Sequence, residues 1–418
     1  MTTSERVPRQ VFVWVWLPGA TEPVVAGRLD HAGDRIVFTY GRSYLERADA
    51  LSLYLPELPL RRGPIEPVGA LPIAGAIRDA APDAWGRRVI LAARTGRLSA
   101  ASDVGELDEF TYLLDSGSNR IGALDFQRSA RSYEVRDDHA SLADLQDAAQ
   151  RLDAGEVLPP DLASALEHGT SVGGARPKVL VDDGGRQLIA KLSSSSDVLP
   201  VVKAEGAAME LARRVGLSAP RTEVIESLGR DVLLVERFDR TEVPGRRRML
   251  VSALTILGLS EFEGRYATYP DLAWQIRQRF TDPAATLREL FGRIVFNVCI
   301  SNMDDHARNH AAFWDGERLT LTPAYDLAPM ARTGATAAQA MAIDTEGRRE
   351  SRLRVCLEAA PIYQLTRAQA ADIVERTVTT IRESWDDVAD LARLTAVEKR
   401  ALWERQFLNP AIFFDDAG

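Results

Sequence analysis

An aspartate and an asparagine in the second half of the chain have the spacing that phosphoryl-transfer enzymes use. Asp304 is followed five positions later by Asn309, in a polar stretch that comes directly after a strongly apolar one. In such a pair the carboxylate takes the proton of an acceptor hydroxyl and the amide oxygen binds a metal ion. A second acid, Asp326, could bind the metal from the other side. An Asp and an Asn five apart also occur in solvated turns, so this pattern alone leaves both interpretations open.

A glycine-rich segment further upstream could bind phosphates. Gly173, Gly174, Ala175, Arg176 and Lys178 come directly before a predicted strand. Glycine lets the backbone approach a phosphate closely, and successive N–H groups then form an anion-binding nest. The segment matches neither G-x-G-x-x-G nor a Walker A sequence, so a glycine-rich entry to a hairpin is an equally good interpretation.

A lysine and a glutamate follow this segment in positions that predict an inward ion pair. Lys191 lies near the end of a strand that reads as buried, where an unpaired charge is costly. Glu205 shares a helical face with alanines and a methionine at positions 208, 209 and 212, so it points to the apolar side. The more specific interpretation is that Lys191 pairs with a carboxylate and a phosphate. The more usual one is a lysine whose side chain reaches out to solvent.

The predicted elements around these residues would hold them in a two-lobed arrangement. Strands at 222–227 and 231–235 end in a charged connector at 236–240, which is where a nucleotide kinase places its hinge; a surface turn is the alternative. Apolar residues recur at i, i+3, i+4 and i+7 through 284–300 and predict a core helix that ends where the Asp304 stretch begins. A hairpin at 312–322 then leads to Asp326, and two amphipathic helices follow from Thr366.

The first part of the chain is predicted to be a small antiparallel meander with strands at 11–17, 24–29 and 35–40. Asp83 precedes a helical run that it would cap, and residues 120–124 form a short extended piece. These features complete a first unit that ends near residue 130.

Composition excludes several classes of protein. The 418 residues suffice for two or three domains, and the net charge of −9 argues against a surface built to wrap nucleic acid. Cys299 and Cys356 are too few for a disulfide framework and have no ligand partners at metal spacing. The apolar run at 11–17 is too short to span a bilayer and has no signal-peptide pattern, so we expect a cytoplasmic protein without a membrane partner.

The candidate features occur along the chain in the order that a two-lobed kinase needs. They are a glycine loop, a strand lysine, a helix glutamate, a hinge, and the three positions for the base and the metal. At this point the sequence resembles the HipA-like serine/threonine kinases, which are toxins of bacterial toxin–antitoxin pairs. Six segments that span nearly the whole chain carry the resemblance: PDAWGRR at 82–88, RIGAL at 120–124, SVGGARPK at 171–178, VERFDR at 235–240, DDHARNH at 304–310 and PAYDL at 323–327.

The resemblance implies an α+β chain with a two-lobed protein-kinase-like fold. Residues 1–130 would form an added N-terminal β-rich subdomain, residues 131–240 the kinase N-lobe and residues 241–418 an all-α C-terminal lobe.

The resemblance also implies ATP and Mg²⁺ as cofactors and a role for each site residue. Asp304 would be the catalytic base, selected over Asp305 by the spacing to Asn309, while Asn309 and Asp326 would hold the metal. Ser171 matches a serine that is autophosphorylated in the family, although a loop hydroxyl making a local turn bond is the simpler interpretation. The residues implied in nucleotide binding are Gly173, Gly174, Ala175, Arg176, Lys178, Lys191, Glu236, Phe238, His306, Asn309, Tyr325 and Asp326.

His306 and His310 form an H-x-x-x-H pair, which raises the alternative of a zinc site. The metalloprotease version needs Glu after the first His, and Ala307 stands there instead. The pair is therefore expected to support the catalytic loop.

The implied partners are a HipB-like helix-turn-helix antitoxin and a protein substrate, with an aminoacyl-tRNA synthetase as the expected example. DNA would be contacted only indirectly, through the antitoxin. Two alternatives remain: a small-molecule or lipid kinase of similar fold, and a non-catalytic kinase-like module in a repressor complex. The sequence does not identify the acceptor, because substrate choice depends on surfaces away from the phosphate site.

Overall fold

The computed structural model describes residues 8–95, 105, 107–136, 141–154, 156, 166, 177–194, 197, 199–332 and 336–414. The strands, numbered in chain order, are β1 Gln10–Val15, β2 Val24–Ala32, β3 Arg35–Tyr40, β4 Pro64–Ile65, β5 Leu124–Gln127, β6 Lys178–Asp183, β7 Arg186–Leu192, β8 Thr222–Ser227, β9 Arg230–Glu236, β10 Leu250–Ser252, β11 Ala311–Trp314 and β12 Leu319–Leu321. The helices are Arg42–Leu45, Gly75–Arg78, Ala84–Thr95, Glu109–Asp115, Leu142–Asp153, Val201–Arg214, Ala253–Ile256, Tyr269–Arg279, Pro283–Cys299, Leu353–Ala359, Arg367–Leu391 and Ala396–Leu402.

The N-terminal part contains a five-stranded antiparallel sheet in the order β4-β3-β2-β1-β5. The predicted meander is confirmed and forms the centre of this sheet. The prediction of an extended piece at 120–124 was wrong for most of its length: residues 121–123 form a turn, with Gly122 at φ +78°, and β5 begins at Leu124. Glycine adopts this left-handed conformation at little cost, so the RIGAL motif marks a turn.

A second, four-stranded antiparallel sheet has the order β6-β7-β9-β8. The helix Val201–Arg214 packs against β8 and β9 of this sheet. Gly206 makes the close approach possible, because a Cβ at this position would lie 2.6 Å from Val224 Cγ2 on β8. This packing holds the helix that carries Glu205 above the strand that carries Lys191.

The C-terminal lobe is predominantly helical around the buried helix Pro283–Cys299. The two predicted amphipathic helices are present, and Thr366 and Thr395 each begin one with a capping box. The lobe also contains a three-stranded antiparallel sheet, β10-β11-β12, so the expectation of an all-α lobe is incomplete. The pairing of the three-residue strand β10 with β11 is a long-range contact that no local pattern reveals. In the described ranges no helix is long and apolar enough to cross a membrane.

Candidate active site

Lys191 and Asp326 meet Glu205 at the boundary between the two lobes. Lys191 extends from β7, and its Nζ lies 2.6 Å from Asp326 Oδ1 and also donates to Glu205 Oε1. The Lys191 and Glu205 side chains retain only 15% and 7% of their exposure, whereas Asp326 retains 41%. The predicted inward Lys191–Glu205 pair is therefore present, and Asp326 adds a partner whose carboxylate also reaches solvent.

The charges of this cluster shift one another's proton affinities. The Lys191 ammonium holds the pKa of the Asp326 carboxyl well below its usual range, against the opposing effect of burial. Burial alone would lower the pKa of Lys191, but Asp326 and Glu205 raise it above its ordinary value. Lys191 and Asp326 are consequently charged at neutral pH, and the ammonium group lies between the carboxyl groups of Glu205 and Asp326.

Lys178, the last residue of the predicted phosphate loop, is the first residue of β6 and is opposite Lys191 in the β6–β7 register. It is 5% exposed, and burial together with the charge of Lys191 lowers its pKa. The two ammonium groups give the site a concentration of positive charge that suits phosphates. Gly173, Gly174, Ala175, Arg176 and Ser171 lie outside the described residues.

The predicted catalytic loop runs from the end of the helix Pro283–Cys299 to β11. Asp304 is exposed, and among the described residues its carboxylate accepts no hydrogen bond and forms no ion pair. Asn309 is 7% exposed and donates from Nδ2 to the Asp304 carbonyl oxygen at 3.1 Å. This bond fixes the loop between the two residues. The Asp304 carboxylate is therefore exposed and bonds to none of the described residues, whereas the nearby Asn309 amide is fixed by its hydrogen bond.

Asp305 has a different environment and anchors the loop from beneath. Its Oδ2 accepts from Asn297 Nδ2 and His310 Nε2, both at 2.8 Å, and from the Tyr269 hydroxyl. The residue is 2% exposed, so this carboxylate cannot meet a substrate. The structure thereby separates the neighbouring acids into an exposed one and a structural one, and it places His310 in the structural network.

His306 and Tyr325 connect the loop to the Asp326 segment. His306 lies near enough to Asp326 to contribute to lowering the pKa of that carboxyl. The Tyr325 hydroxyl donates to the Arg308 carbonyl oxygen at 2.6 Å. Asp326 itself has φ +58°, a left-handed conformation that Asp adopts more readily than most residues and that turns its side chain back toward Lys191.

The connector after β9 contributes an aromatic wall and an open backbone donor. The ring centroid of Phe238 lies 5.7 Å from that of Tyr325 and 6.0 Å from that of Phe313. Glu236 is exposed at the end of β9. Within the described ranges the Phe238 backbone N–H has no hydrogen-bond acceptor. A flat heterocycle with a polar edge would satisfy both features.

The N-terminal subdomain also contributes charge to the site. Asp83 caps the helix Ala84–Thr95, with Oδ1 accepting from Gly86 N at 2.8 Å, while its buried Oδ2 has no partner among the described residues. Burial raises the pKa of Asp83 to about 6, and the charges of Lys178 and Arg308 oppose that shift. The predicted cap is confirmed, and the charge of Lys178 acts on the same carboxyl.

The oxygen atoms of Asn309 and Asp326 fit a magnesium ion. Mg²⁺ prefers hard oxygen ligands and is usually held by one or two protein groups together with substrate phosphates. Asp326 offers a carboxylate oxygen beyond the one bound to Lys191, and Asn309 offers its amide oxygen. In the part of the chain that the structure describes, no group of three or more His, Cys, Asp or Glu is arranged to hold a metal ion.

Sequence reasoning missed several residues that support this site. Asn297 is a polar residue inside the apolar helix Pro283–Cys299, which was a usable signal of a buried partner. Tyr269 and Phe313 have no such signal, because each reaches the site through a tertiary contact.

Comparison with known proteins bears on both halves of the chain. The family model described as the HipA-like C-terminal domain matches residues 170–385, more than half of the chain, and the HipA N-terminal domain matches residues 15–127.

Two curated relatives and one solved structure are similar to this chain. A putative kinase, Y4mE, from Sinorhizobium fredii is 26% identical over 87% of this chain and 89% of its own length. The serine/threonine-protein kinase toxin HipA of Shewanella oneidensis is 25% identical over 44% of this chain and 48% of its own length. A Shewanella oneidensis HipA structure, from a complex with HipB and operator DNA, aligns with a TM-score of 0.66 at 18% identity, covering 94% of this chain and 98% of that one. At this identity the structural match shows the fold.

Proposed function

This chain belongs to the HipA family of kinase toxins, and from that premise we propose that it is an ATP-dependent serine/threonine-protein kinase acting as the toxin of a toxin–antitoxin pair. The observation that carries the proposal is the contact of Lys191 Nζ with both Glu205 and Asp326. A protein kinase needs its strand lysine, its helix glutamate and its metal-binding aspartate in place together.

The residues have the following proposed roles. The Phe238 N–H and the aromatic wall bind the adenine, while Lys178 and Lys191 donate to the phosphates. Asp304 takes the proton from the acceptor hydroxyl as the hydroxyl oxygen attacks the γ-phosphorus, and the bond from that phosphorus to the β–γ bridging oxygen breaks to release ADP. The base contributes on the order of 10²–10⁴-fold. Asn309 and Asp326 hold Mg²⁺, which when bound neutralises charge on the β- and γ-phosphates. Gly173, Gly174, Ala175 and Arg176 cover the phosphates, and Glu236, His306 and Tyr325 line the site.

We further propose that the enzyme phosphorylates a serine in a host protein, with an aminoacyl-tRNA synthetase as the first substrate to test, and autophosphorylates on Ser171. A HipB-like helix-turn-helix antitoxin would restrain it and supply the DNA contacts. The similar Shewanella protein was solved in complex with HipB and operator DNA, which supports this partner by analogy.

Incubation of the purified protein with radiolabelled ATP, Mg²⁺ and cell lysate tests the proposal. We expect label in one or a few proteins and, in the absence of lysate, label at Ser171 found by mass spectrometry. The Asp304→Asn variant should show neither. Label confined to small molecules would contradict the protein-kinase assignment, and equal labelling by wild type and Asp304→Asn would contradict the proposed catalytic base.

A further inference from the structure

We propose that Asn119 in the N-terminal subdomain is a positioning residue of the nucleotide site, holding the hinge segment 236–240 in place through two arginines. The inference rests on the proposed function, because the hinge is where adenine would bind. It concerns a residue outside the kinase lobes and outside every segment that the sequence pattern singled out.

The Asn119 side chain bonds two hinge residues and the lysine-bearing strand simultaneously. Its Oδ1 accepts from Arg237 Nη1 and from Arg240 Nη2, both at 2.9 Å. Its Nδ2 donates to Gln187 Oε1 on β7 at 3.0 Å, four positions before Lys191. One amide therefore connects the N-terminal subdomain to the hinge and to the phosphate-site strand.

The backbone of the turn that follows Asn119 adds further bonds to the same arginines. The Arg120 carbonyl oxygen accepts from Arg237 Nη2 at 2.7 Å and Arg240 Nη2 at 2.6 Å, and the Gly122 carbonyl oxygen accepts from Arg240 Nη1 at 3.1 Å. In return, Gly122 N donates to Asp239 Oδ2 at 2.7 Å. The left-handed φ of Gly122 lets its N–H and its carbonyl oxygen both face the hinge.

The charged side chains on the hinge side of this contact are buried. The side chains of Arg237 and Asp239 are 0% and 2% exposed and pair with each other. Buried charge pairs keep their geometry only when their remaining donors are satisfied, and the Asn119 turn supplies acceptors for both guanidinium groups. Loss of the Asn119 amide would remove one acceptor from each guanidinium group, while Arg237 Nη1 keeps the Asn119 carbonyl oxygen at 3.2 Å and Arg240 Nη2 keeps the Arg120 carbonyl oxygen. The hinge would then be held by fewer bonds and would open more often.

Arg237 N also donates to the Gln187 carbonyl oxygen at 3.0 Å, so the residue before Phe238 is fixed on both its backbone and its side chain. The direction of the open Phe238 N–H depends on this anchoring. A nucleotide bound through that N–H would lose affinity when the hinge loosens, without a change in the groups that perform phosphoryl transfer.

Two variants at position 119, made in the full chain, distinguish a positioning role of Asn119 from a general contribution to stability. Asn119→Ala removes both acceptor and donor, whereas Asn119→Asp keeps the acceptor for the arginines and loses only the donor to Gln187. Asn409→Ala is the matched control, because it removes an amide whose Oδ1 accepts from Ala411 N at the other end of the chain. Hydrogen exchange of hinge amides 236–240 in the absence of nucleotide, and KM for ATP against kcat, are measured for all three.

We expect Asn119→Ala to speed hinge exchange about tenfold and to raise KM for ATP by a similar factor with kcat within about twofold. Asn119→Asp and Asn409→Ala should stay close to wild type in both measurements. Unchanged hinge exchange in Asn119→Ala would overturn the inference, as would faster exchange with an unchanged KM. A wild-type protein that binds no Mg·ATP would instead overturn the proposed function, and hinge exchange would still decide whether Asn119 holds the hinge.

Discussion

The ammonium nitrogen of Lys191 lies 2.6 Å from a carboxylate oxygen of Asp326, a residue 135 positions later in the chain. Glu205 shares the same nitrogen, so one cation joins a strand of the N-lobe, a helix of the N-lobe and the Asp326 segment of the C-lobe. The contact makes Lys191 both a structural link between the lobes and a candidate phosphate ligand.

Replacing Lys191 by methionine should reduce both stability and phosphoryl transfer. The unpaired Glu205 carboxylate, almost fully buried, is expected to cost about 3–5 kcal/mol of unfolding free energy. A second change, Glu205→Gln, should recover most of that stability but none of the activity. Urea unfolding and labelled-ATP turnover measure the two effects, with Lys399→Met as the control because Lys399 pairs with the exposed Asp390. Full activity in the single variant would contradict the phosphate-binding role.

Two neighbouring acids should give opposite results when changed to asparagine. Asp304→Asn should reduce kcat by about 10²–10⁴-fold with little change in stability, because this exposed carboxylate accepts no hydrogen bond from the described residues. Asp305→Asn should lower the free energy of unfolding by about 1–3 kcal/mol, because one amide cannot accept all three donors. Thermal unfolding and initial rates on both proteins check this pair. A reversed pattern would assign the base to Asp305.

Glu57 should make stability fall as pH rises toward neutral. Burial raises the pKa of this carboxyl to about 7, from an ordinary value of 4.5, although it accepts from Gly75 N and Ala76 N. The folded state therefore binds the proton more tightly than the unfolded state, and the stabilisation is complete below pH 4.5 and is lost as pH rises through 7. In Glu57→Gln the decline between these pH values should be smaller by about 1–3 kcal/mol. Urea unfolding at pH 5 and pH 8 gives the free energy of unfolding of both proteins. An equal loss of free energy between these pH values in the two proteins would contradict the assignment.

Gly206→Val should loosen the helix that carries Glu205. The added side chain would overlap Val224, whose Cγ2 lies 2.6 Å from the Cβ position, and overpacking of this kind costs about 1–3 kcal/mol. Because the helix must shift, ATP turnover should fall as well. Valine has a higher helix propensity than glycine, so a loss of stability would come from the overlap with Val224 and not from helix propensity. Wild-type stability in Gly206→Val would show that the sheet accommodates the side chain.

Local patterns predicted the elements well wherever the residues that define them are close in sequence. The β-branched and aromatic residues that mark β1, the apolar series of the helix Pro283–Cys299 and the amphipathic pattern that follows Thr366 all depend on neighbours within a few positions. Glu205 could be placed facing inward for the same reason.

The remaining features depend on contacts that a local pattern does not encode. β10 is three residues long and gains its strand character from β11. Asn119 has an ordinary turn context, and its significance comes from arginines more than a hundred positions later. Asp304 and Asp305 are indistinguishable by type, and only the arrangement of Tyr269, Asn297 and His310 shows which carboxylate is buried.

The bond between Asn119 and Arg237 spans 118 residues, and this separation has a consequence for synthesis on the ribosome. At about 5–20 residues per second, roughly 6–24 s pass between the addition of the two residues. The N-terminal sheet can therefore form while its turn still lacks the arginines it will bind. Asp326 is added later again, so the nascent chain completes the cluster of Lys191, Glu205 and Asp326 only after most of the protein has been translated.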